Sequence, residues 1–127
     1  MEEKWLNFEE FRTNYPEDKY HLIEIVRFEK GNMDSALQKI SKITIKLVSL
    51  DIDADLLTVS NFSKISQTKI IRSKTRRKAT MREKYVKTYY VPDFPIALVL
   101  AIEKEKMSDE EVNRIREKIN EILDKVL

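Results

Sequence analysis

The amino-acid sequence predicts an α+β fold: a mainly antiparallel sheet of about five to six strands with an N-terminal, a middle and a long C-terminal helix. Segments rich in Ile, Val, Thr and Tyr predict the strands. Segments whose apolar residues recur every three to four positions predict the helices. The length of 127 residues and the apolar fraction of 42% fit a single compact domain covering residues 1–127.

Aromatic residues near the N-terminus recur at steps of three and four, the spacing of one helix face. They are Trp5, Phe8, Phe11 and Tyr15. Because proline cannot continue a helix, the spacing predicts a short amphipathic helix that ends before Pro16. The segment from His21 to Phe28, rich in Ile, Val and Phe, then predicts the first strand.

In the middle of the chain the apolar period changes from helical to strand-like. After a turn at Gly31 and Asn32, apolar residues mark one helix face; they are Met33, Ala36, Leu37 and Ile40. From there the period is two, because Ile43, Ile45 and Leu47 alternate with polar residues. We therefore expect a half-buried strand from Ile43 to about Leu50.

The second half contains the remaining strands. Residues 56–62, 65–71 and 85–91 predict three of them, whereas residues 72–84 fit an extended loop, a hairpin tip or a short helix. Residues 92–95 contain two prolines and predict a turn. The run from Ile96 to Ile102 has no polar face, which predicts a central strand covered on both sides.

The C-terminal residues 108–127 predict the clearest helix. Ser108 has the position of an N-cap, and Glu111 that of its capping-box partner. An apolar stripe follows at steps of three and four, formed by Val112, Ile115, Ile119, Ile122 and Val126. We expect this stripe to pack on the sheet, with a homodimer through residues 108–127 as the alternative.

Composition narrows the chemistry that the chain can carry. The absence of cysteine excludes disulfides, Cys-based zinc sites and thiol nucleophiles, and the single His21 excludes a site built from several imidazoles. The longest apolar run is far shorter than the roughly 20 residues that cross a bilayer. We therefore expect a cytoplasmic protein with no membrane segment, no cofactor, no metal site and no catalytic residues.

Positive charge is concentrated in one segment, residues 64–90. The segment has ten basic residues and a single acid, Glu83, for a net charge of +9. The rest of the chain has 14 basic and 21 acidic residues and carries −7, so the total of +2 hides the separation. Because phosphate backbones neutralise such a cluster and release counterions, the segment predicts a polyanion-binding surface, above all for nucleic acid.

Within this segment we predict the side chains that contact nucleic acid. Lys and Arg neutralise phosphates, and tyrosine rings stack on unpaired bases. The predicted contact residues are Lys69, Arg72, Lys74, Arg76, Arg77, Lys78, Arg82, Lys84, Tyr85, Lys87 and Tyr89. A further tyrosine, Tyr90, flanks them. The sequence leaves open whether the partner is DNA or RNA, and whether it is single- or double-stranded.

Other interpretations remain open beside this one. The acidic segment 1–18, with six acids and two bases, can neutralise the basic segment within the protein. An adaptor or assembly protein would use its amphipathic helices and basic face on a protein partner. A metal-dependent nuclease would use Asp51, Asp53 and Asp55, which share one face if they lie on a strand. A polar turn is the simpler interpretation of these aspartates.

Overall fold

The computed structural model describes the main chain of residues 1–72 and 82–127, and the side chains of residues 1–68 and 86–127. In these residues the chain forms three helices and six strands, which confirms the predicted α+β class. The elements are β1 (Glu2–Leu6), α1 (Phe8–Asn14), β2 (Tyr20–Phe28), α2 (Met33–Val48), β3 (Asp55–Ser60), β4 (Ser63–Arg72), β5 (Arg82–Val91), β6 (Ile96–Glu103) and α3 (Asp109–Val126).

The chain divides into two compact units. Met1–Asn61 with Pro92–Leu127 forms the first, which we call the body, and Phe62–Val91 forms the second, which we call the hairpin unit. Of the described elements, the body holds the three helices and four of the strands, and the hairpin unit holds β4 and β5. That the whole chain behaves as one domain stays a prediction.

The sheet of the body has the strand order β1-β3-β6-β2. β6 is antiparallel to both of its neighbours, whereas β1 is parallel to β3, so the sheet is mixed. β6 is buried from Ile96 to Ile102. Its even-numbered residues join the core that α2 and α3 cover, and its odd-numbered residues join the smaller core beside α1. This confirms the predicted central strand with both faces covered.

The predicted strand from Ile43 to Leu50 is wrong, because α2 continues to Val48. Its buried residues are Ala36, Ile40, Ile43 and Leu47, the spacing of one helix face. The side chain of Ile45 is 69% exposed, although the period-two interpretation placed it with Ile43 and Leu47. The β-branched residues imitate a strand locally, but packing of the helical face on the sheet outweighs that weak preference.

The N-terminal helix is shorter than predicted, because Trp5 lies in β1. The helix begins at Phe8, and Asn7 caps it: the Asn7 side chain accepts a hydrogen bond from the Glu10 N–H, and the Glu10 carboxylate accepts one from the Asn7 N–H. This reciprocal pair satisfies two N–H groups that the first turn leaves without partners. The regular spacing of the aromatic residues therefore runs across both β1 and α1, which is why it predicted one longer helix.

The C-terminal helix α3 has the predicted N-cap and apolar stripe, but the Glu111 carboxylate bonds to the Ser108 hydroxyl and not in the manner of a capping box. The Ser108 hydroxyl oxygen accepts a hydrogen bond from the Glu111 N–H, and the Glu111 carboxylate accepts one from the Ser108 hydroxyl. Val112, Ile115 and Ile119 are buried in the core shared with α2 and β2, which confirms the predicted packing on the sheet. Homodimerisation through residues 108–127 stays a prediction. None of the helices in the described residues is long and apolar enough to span a membrane.

The hairpin unit is inserted between two neighbouring strands of the body. β3 and β6 pair in antiparallel fashion, and Ser60, the last residue of β3, lies opposite Ile96, the first residue of β6. The chain leaves the sheet after Ser60, forms the hairpin unit and returns through Pro92 to β6. The peptide bond between Phe94 and Pro95 in the returning segment is cis. The basic segment is thus inserted in the connection between Ser60 of β3 and Ile96 of β6.

Candidate nucleic-acid interface

The boundary between opposite charges coincides with the boundary between the two structural units. The hairpin unit contains all ten basic residues of the predicted segment and its single acid, so residues 62–91 carry +9. The body carries −7. The separation first seen along the sequence is therefore a property of two folded units, one of which concentrates the positive charge.

The described strands of the hairpin unit form a two-stranded antiparallel ribbon. Its register runs from Ser63 opposite Val91 to Arg72 opposite Arg82. This confirms the strands predicted at 65–71 and 85–91 and lengthens both, consistent with their content of Ile, Val, Thr and Tyr. Each strand has ten residues, which corresponds to about 34 Å at roughly 3.4 Å per residue. An extended, narrow, basic surface results.

The structure brings several of the predicted contact residues together on this ribbon. In the register, Lys69 lies opposite Tyr85 and Arg72 opposite Arg82. Lys84 lies opposite Ile70, and β5 also carries Lys87 and Tyr89. The four other predicted contacts lie outside the described residues; they are Lys74, Arg76, Arg77 and Lys78.

The described side chains of the ribbon are accessible. Residues 63–68 and 86–91 are all exposed, and in this part of the unit no side chain is buried. The apolar ones among them include Ile65 at 47% and Val86 at 60% exposure. An isolated two-stranded hairpin is marginally stable in water, and the net positive charge of residues 62–91 opposes compaction further. An anionic ligand would relieve that repulsion.

Two tyrosine–lysine pairs near the start of β4 and the end of β5 provide the most defined geometry on the ribbon. The Lys87 Nζ lies 5.1 Å from the centroid of the Tyr89 ring, and the Lys64 Nζ lies 5.7 Å from that of Tyr90. The ring of Phe62 meets Tyr90 edge-to-face at a centroid distance of 6.5 Å. Lys64 and Tyr90 are absent from the predicted contact set, because only the register shows that they lie opposite one another.

The aspartates of the nuclease interpretation do not form a cluster. Asp53 pairs with Lys106, Nζ to Oδ2 at 3.1 Å, and this contact raises the pKa of Lys106. Asp55 begins β3, and Asp51 lies in the preceding turn with a positive φ of 52°. Across the described part of the chain, no group of three or more His, Cys, Asp or Glu side chains converges in a way that could hold a metal ion.

Asp55 instead joins a polar cluster in the body. The Tyr15 hydroxyl donates a hydrogen bond to Asp55 Oδ2 over 2.8 Å, and the Lys4 Nζ lies 3.2 Å from the Tyr15 oxygen and 3.7 Å from Asp55 Oδ2. Burial, together with the hydrogen bond to Asp55, raises the pKa of Tyr15. The cluster links β1, the end of α1 and β3, which is a structural role.

Comparison with known proteins adds no relative: no protein-family model, curated protein or solved structure matches this chain. The function of this protein is therefore inferred from the residues and geometry of its two units.

Proposed function

We propose that this protein binds nucleic acid through its phosphate backbone and that the hairpin unit is the contact element. The observation that carries the proposal is the charge of +9 on residues 62–91 against −7 on the body. Neutralising such a cluster with phosphates releases condensed counterions, which is the main sequence-independent source of nucleic-acid affinity.

The shape and chemistry of the ribbon support the same proposal. A two-stranded β-ribbon is narrow enough to enter the major groove of a duplex or to lie along a single strand. Hydroxyl side chains accompany the basic residues on its exposed surface, and they position proteins on a phosphate backbone; they are Ser63, Ser66, Thr68 and Thr88. No step of this function requires catalysis.

The test is a titration of labelled single-stranded RNA, single-stranded DNA and duplex DNA with the full chain at several salt concentrations. We expect binding at low salt and a linear fall of log affinity with log salt, by roughly 0.7–0.9 per neutralised phosphate. The variant R76E/R77E/K78E should bind more weakly and with a smaller slope, because fewer phosphates are neutralised.

A matched control separates a local effect from the change in total charge. Lys30, Lys42 and Lys118 are exposed lysines of the body, and K30E/K42E/K118E changes the net charge by the same amount. This control should keep the wild-type salt slope, because none of the three lysines lies in the hairpin unit. Equal losses in both triple variants, or no binding by the wild type at low salt, would refute the proposal. A stoichiometric protein complex formed without nucleic acid would favour the adaptor interpretation instead.

A further inference from the structure

The two tyrosine–lysine pairs of the hairpin unit specify the form of nucleic acid more closely than the charge does. Tyr89 is 40% and Tyr90 is 62% exposed. Each ring has a lysine ammonium close by, Lys87 for Tyr89 and Lys64 for Tyr90. An aromatic ring that serves only a core is covered, whereas these two rings present much of their surface to solvent.

The pairs lie on opposite faces of the ribbon. Tyr89 and Tyr90 are consecutive in β5, so their side chains point to opposite sides. Lys87 is two residues from Tyr89 and shares its face, and Lys64 lies directly opposite Tyr90 in the register. The edge-to-face contact with Phe62 orients the Tyr90 ring. Each face thus combines a tyrosine ring with a lysine ammonium over that ring.

This combination matches an unpaired nucleotide. The base offers a flat face that stacks on the ring, and its phosphate offers a negative charge to the neighbouring ammonium. In a duplex the base faces are already stacked on one another, so a duplex offers its phosphates and base edges to the ribbon but no base face to the two rings. The rings therefore add affinity for single strands alone.

Given the proposed nucleic-acid binding, on which this step rests, we infer that the hairpin unit prefers single-stranded nucleic acid and stacks unpaired bases on Tyr89 and Tyr90. The phosphates of the same nucleotides lie at Lys87 and Lys64. RNA and DNA share this chemistry, and separate RNA and DNA titrations distinguish them.

The experiment compares Y89A/Y90A with Y89F/Y90F in the full chain, using single-stranded RNA, single-stranded DNA and duplex DNA. We expect the alanine variant to lose about 5- to 150-fold in single-strand affinity for each ring that stacks. Its duplex affinity should stay within about twofold of the wild type, since stacking is absent there. The phenylalanine variant should keep the single-strand affinity, because it keeps both rings.

A spectroscopic measurement keeps the inference testable if the alanine variant loses its hairpin. On adding an oligonucleotide to the wild type, ring-proton resonances of Tyr89 and Tyr90 should shift upfield through the ring currents of stacked bases. Unshifted resonances would overturn the inference, and so would equal losses for single strands and duplex in an alanine variant that keeps its hairpin. If Y89A/Y90A binds single strands like the wild type while R76E/R77E/K78E binds more weakly, base stacking is refuted and phosphate binding is not.

Discussion

The side chain of Ser60 and the main chain of Asp93 form two hydrogen bonds with each other. The Ser60 hydroxyl donates to the Asp93 carbonyl oxygen over 2.6 Å, and its oxygen accepts from the Asp93 N–H over 3.0 Å. Ser60 has no exposed surface. Ser60 is the last residue of β3, and Asp93 lies just before β6. Their contact therefore holds together the two chain segments that join β3 and β6 within the body.

We predict that the body folds without the hairpin unit. Replacing residues 62–91 with Gly-Gly leaves a short connection between Ser60 and Ile96, which already lie opposite one another, and retains both hydrogen bonds to Asp93. Short connections between antiparallel neighbours carry little entropic cost. Cooperative urea unfolding and a helical far-ultraviolet circular dichroism spectrum are the expected results.

The shortened chain also serves as a control for function. It retains the −7 charge of the body and none of the predicted contact residues, so it should bind no nucleic acid at any salt concentration. A non-cooperative transition would contradict independent folding of the body. Retained binding would show that the contact surface lies outside the hairpin unit.

We expect Ser60→Ala to destabilise the body by about 1–3 kcal/mol. The substitution removes one donor and one acceptor at a buried position and leaves two polar main-chain groups of Asp93 without that partner. Urea unfolding of both proteins gives the difference in the free energy of unfolding. Ser41→Ala on the exposed face of α2 is the control and should be neutral or slightly stabilising, because alanine favours helix. Equal stability of Ser60→Ala and the wild type would show that the contact contributes nothing.

Sequence patterns correctly predicted the elements whose local sequence signals agree with the way they pack in the fold. The run from Ile96 to Ile102 lies in the middle of the sheet, and α3 has both a capping residue and an apolar stripe. The strand predicted from Ile43 failed because a period of two and a period of 3.6 both fit Ile43 and Leu47, and only the sheet beneath α2 decides between them. The parallel pairing of β1 with β3 likewise depends on residues about 50 positions apart, which no local pattern reports.

The candidate site likewise has one feature that the sequence predicts and one that depends on the folded structure. Net charge adds along a sequence, so the order of the residues alone reveals the basic segment. The pairing of Lys64 with Tyr90 depends on the register of two strands, which residue order alone does not reveal. The N-cap of α1, by contrast, has a sequence signal. Asn7 followed three residues later by Glu10 is a capping pattern, and it separates β1 from α1.

Alanine substitutions at Ile43 and Ile45 test the helical assignment of residues 43–48. Ile43 is fully buried and Ile45 is 69% exposed, although a strand would place both on one face. We expect Ile43→Ala to lower the free energy of unfolding by about 2–5 kcal/mol, because it leaves a cavity in the core. Ile45→Ala should change it by less than about 0.5 kcal/mol. Similar losses from the two substitutions in urea unfolding would support the strand and contradict the helix.

The cluster around Tyr15 predicts a dependence of stability on alkaline pH. Burial and the hydrogen bond to Asp55 raise the pKa of Tyr15 in the folded protein, whereas an unfolded tyrosine loses its proton near pH 10. Above that pH the unfolded state releases a proton that the folded state retains, so the contribution of Tyr15 is complete below about pH 10 and is lost as the pH rises further.

Tyr15→Phe removes both the titrating group and its hydrogen bond to Asp55. At neutral pH we expect a loss of about 1–2 kcal/mol, the contribution of a hydrogen bond to a partly exposed carboxylate. Above about pH 10 the difference between the wild type and the variant should shrink, because the wild type alone loses the Tyr15 contribution. Urea unfolding of both proteins across this range measures the difference, with Tyr89→Phe as the exposed-tyrosine control. A pH-independent difference for Tyr15→Phe would contradict the coupling of Tyr15 to the fold.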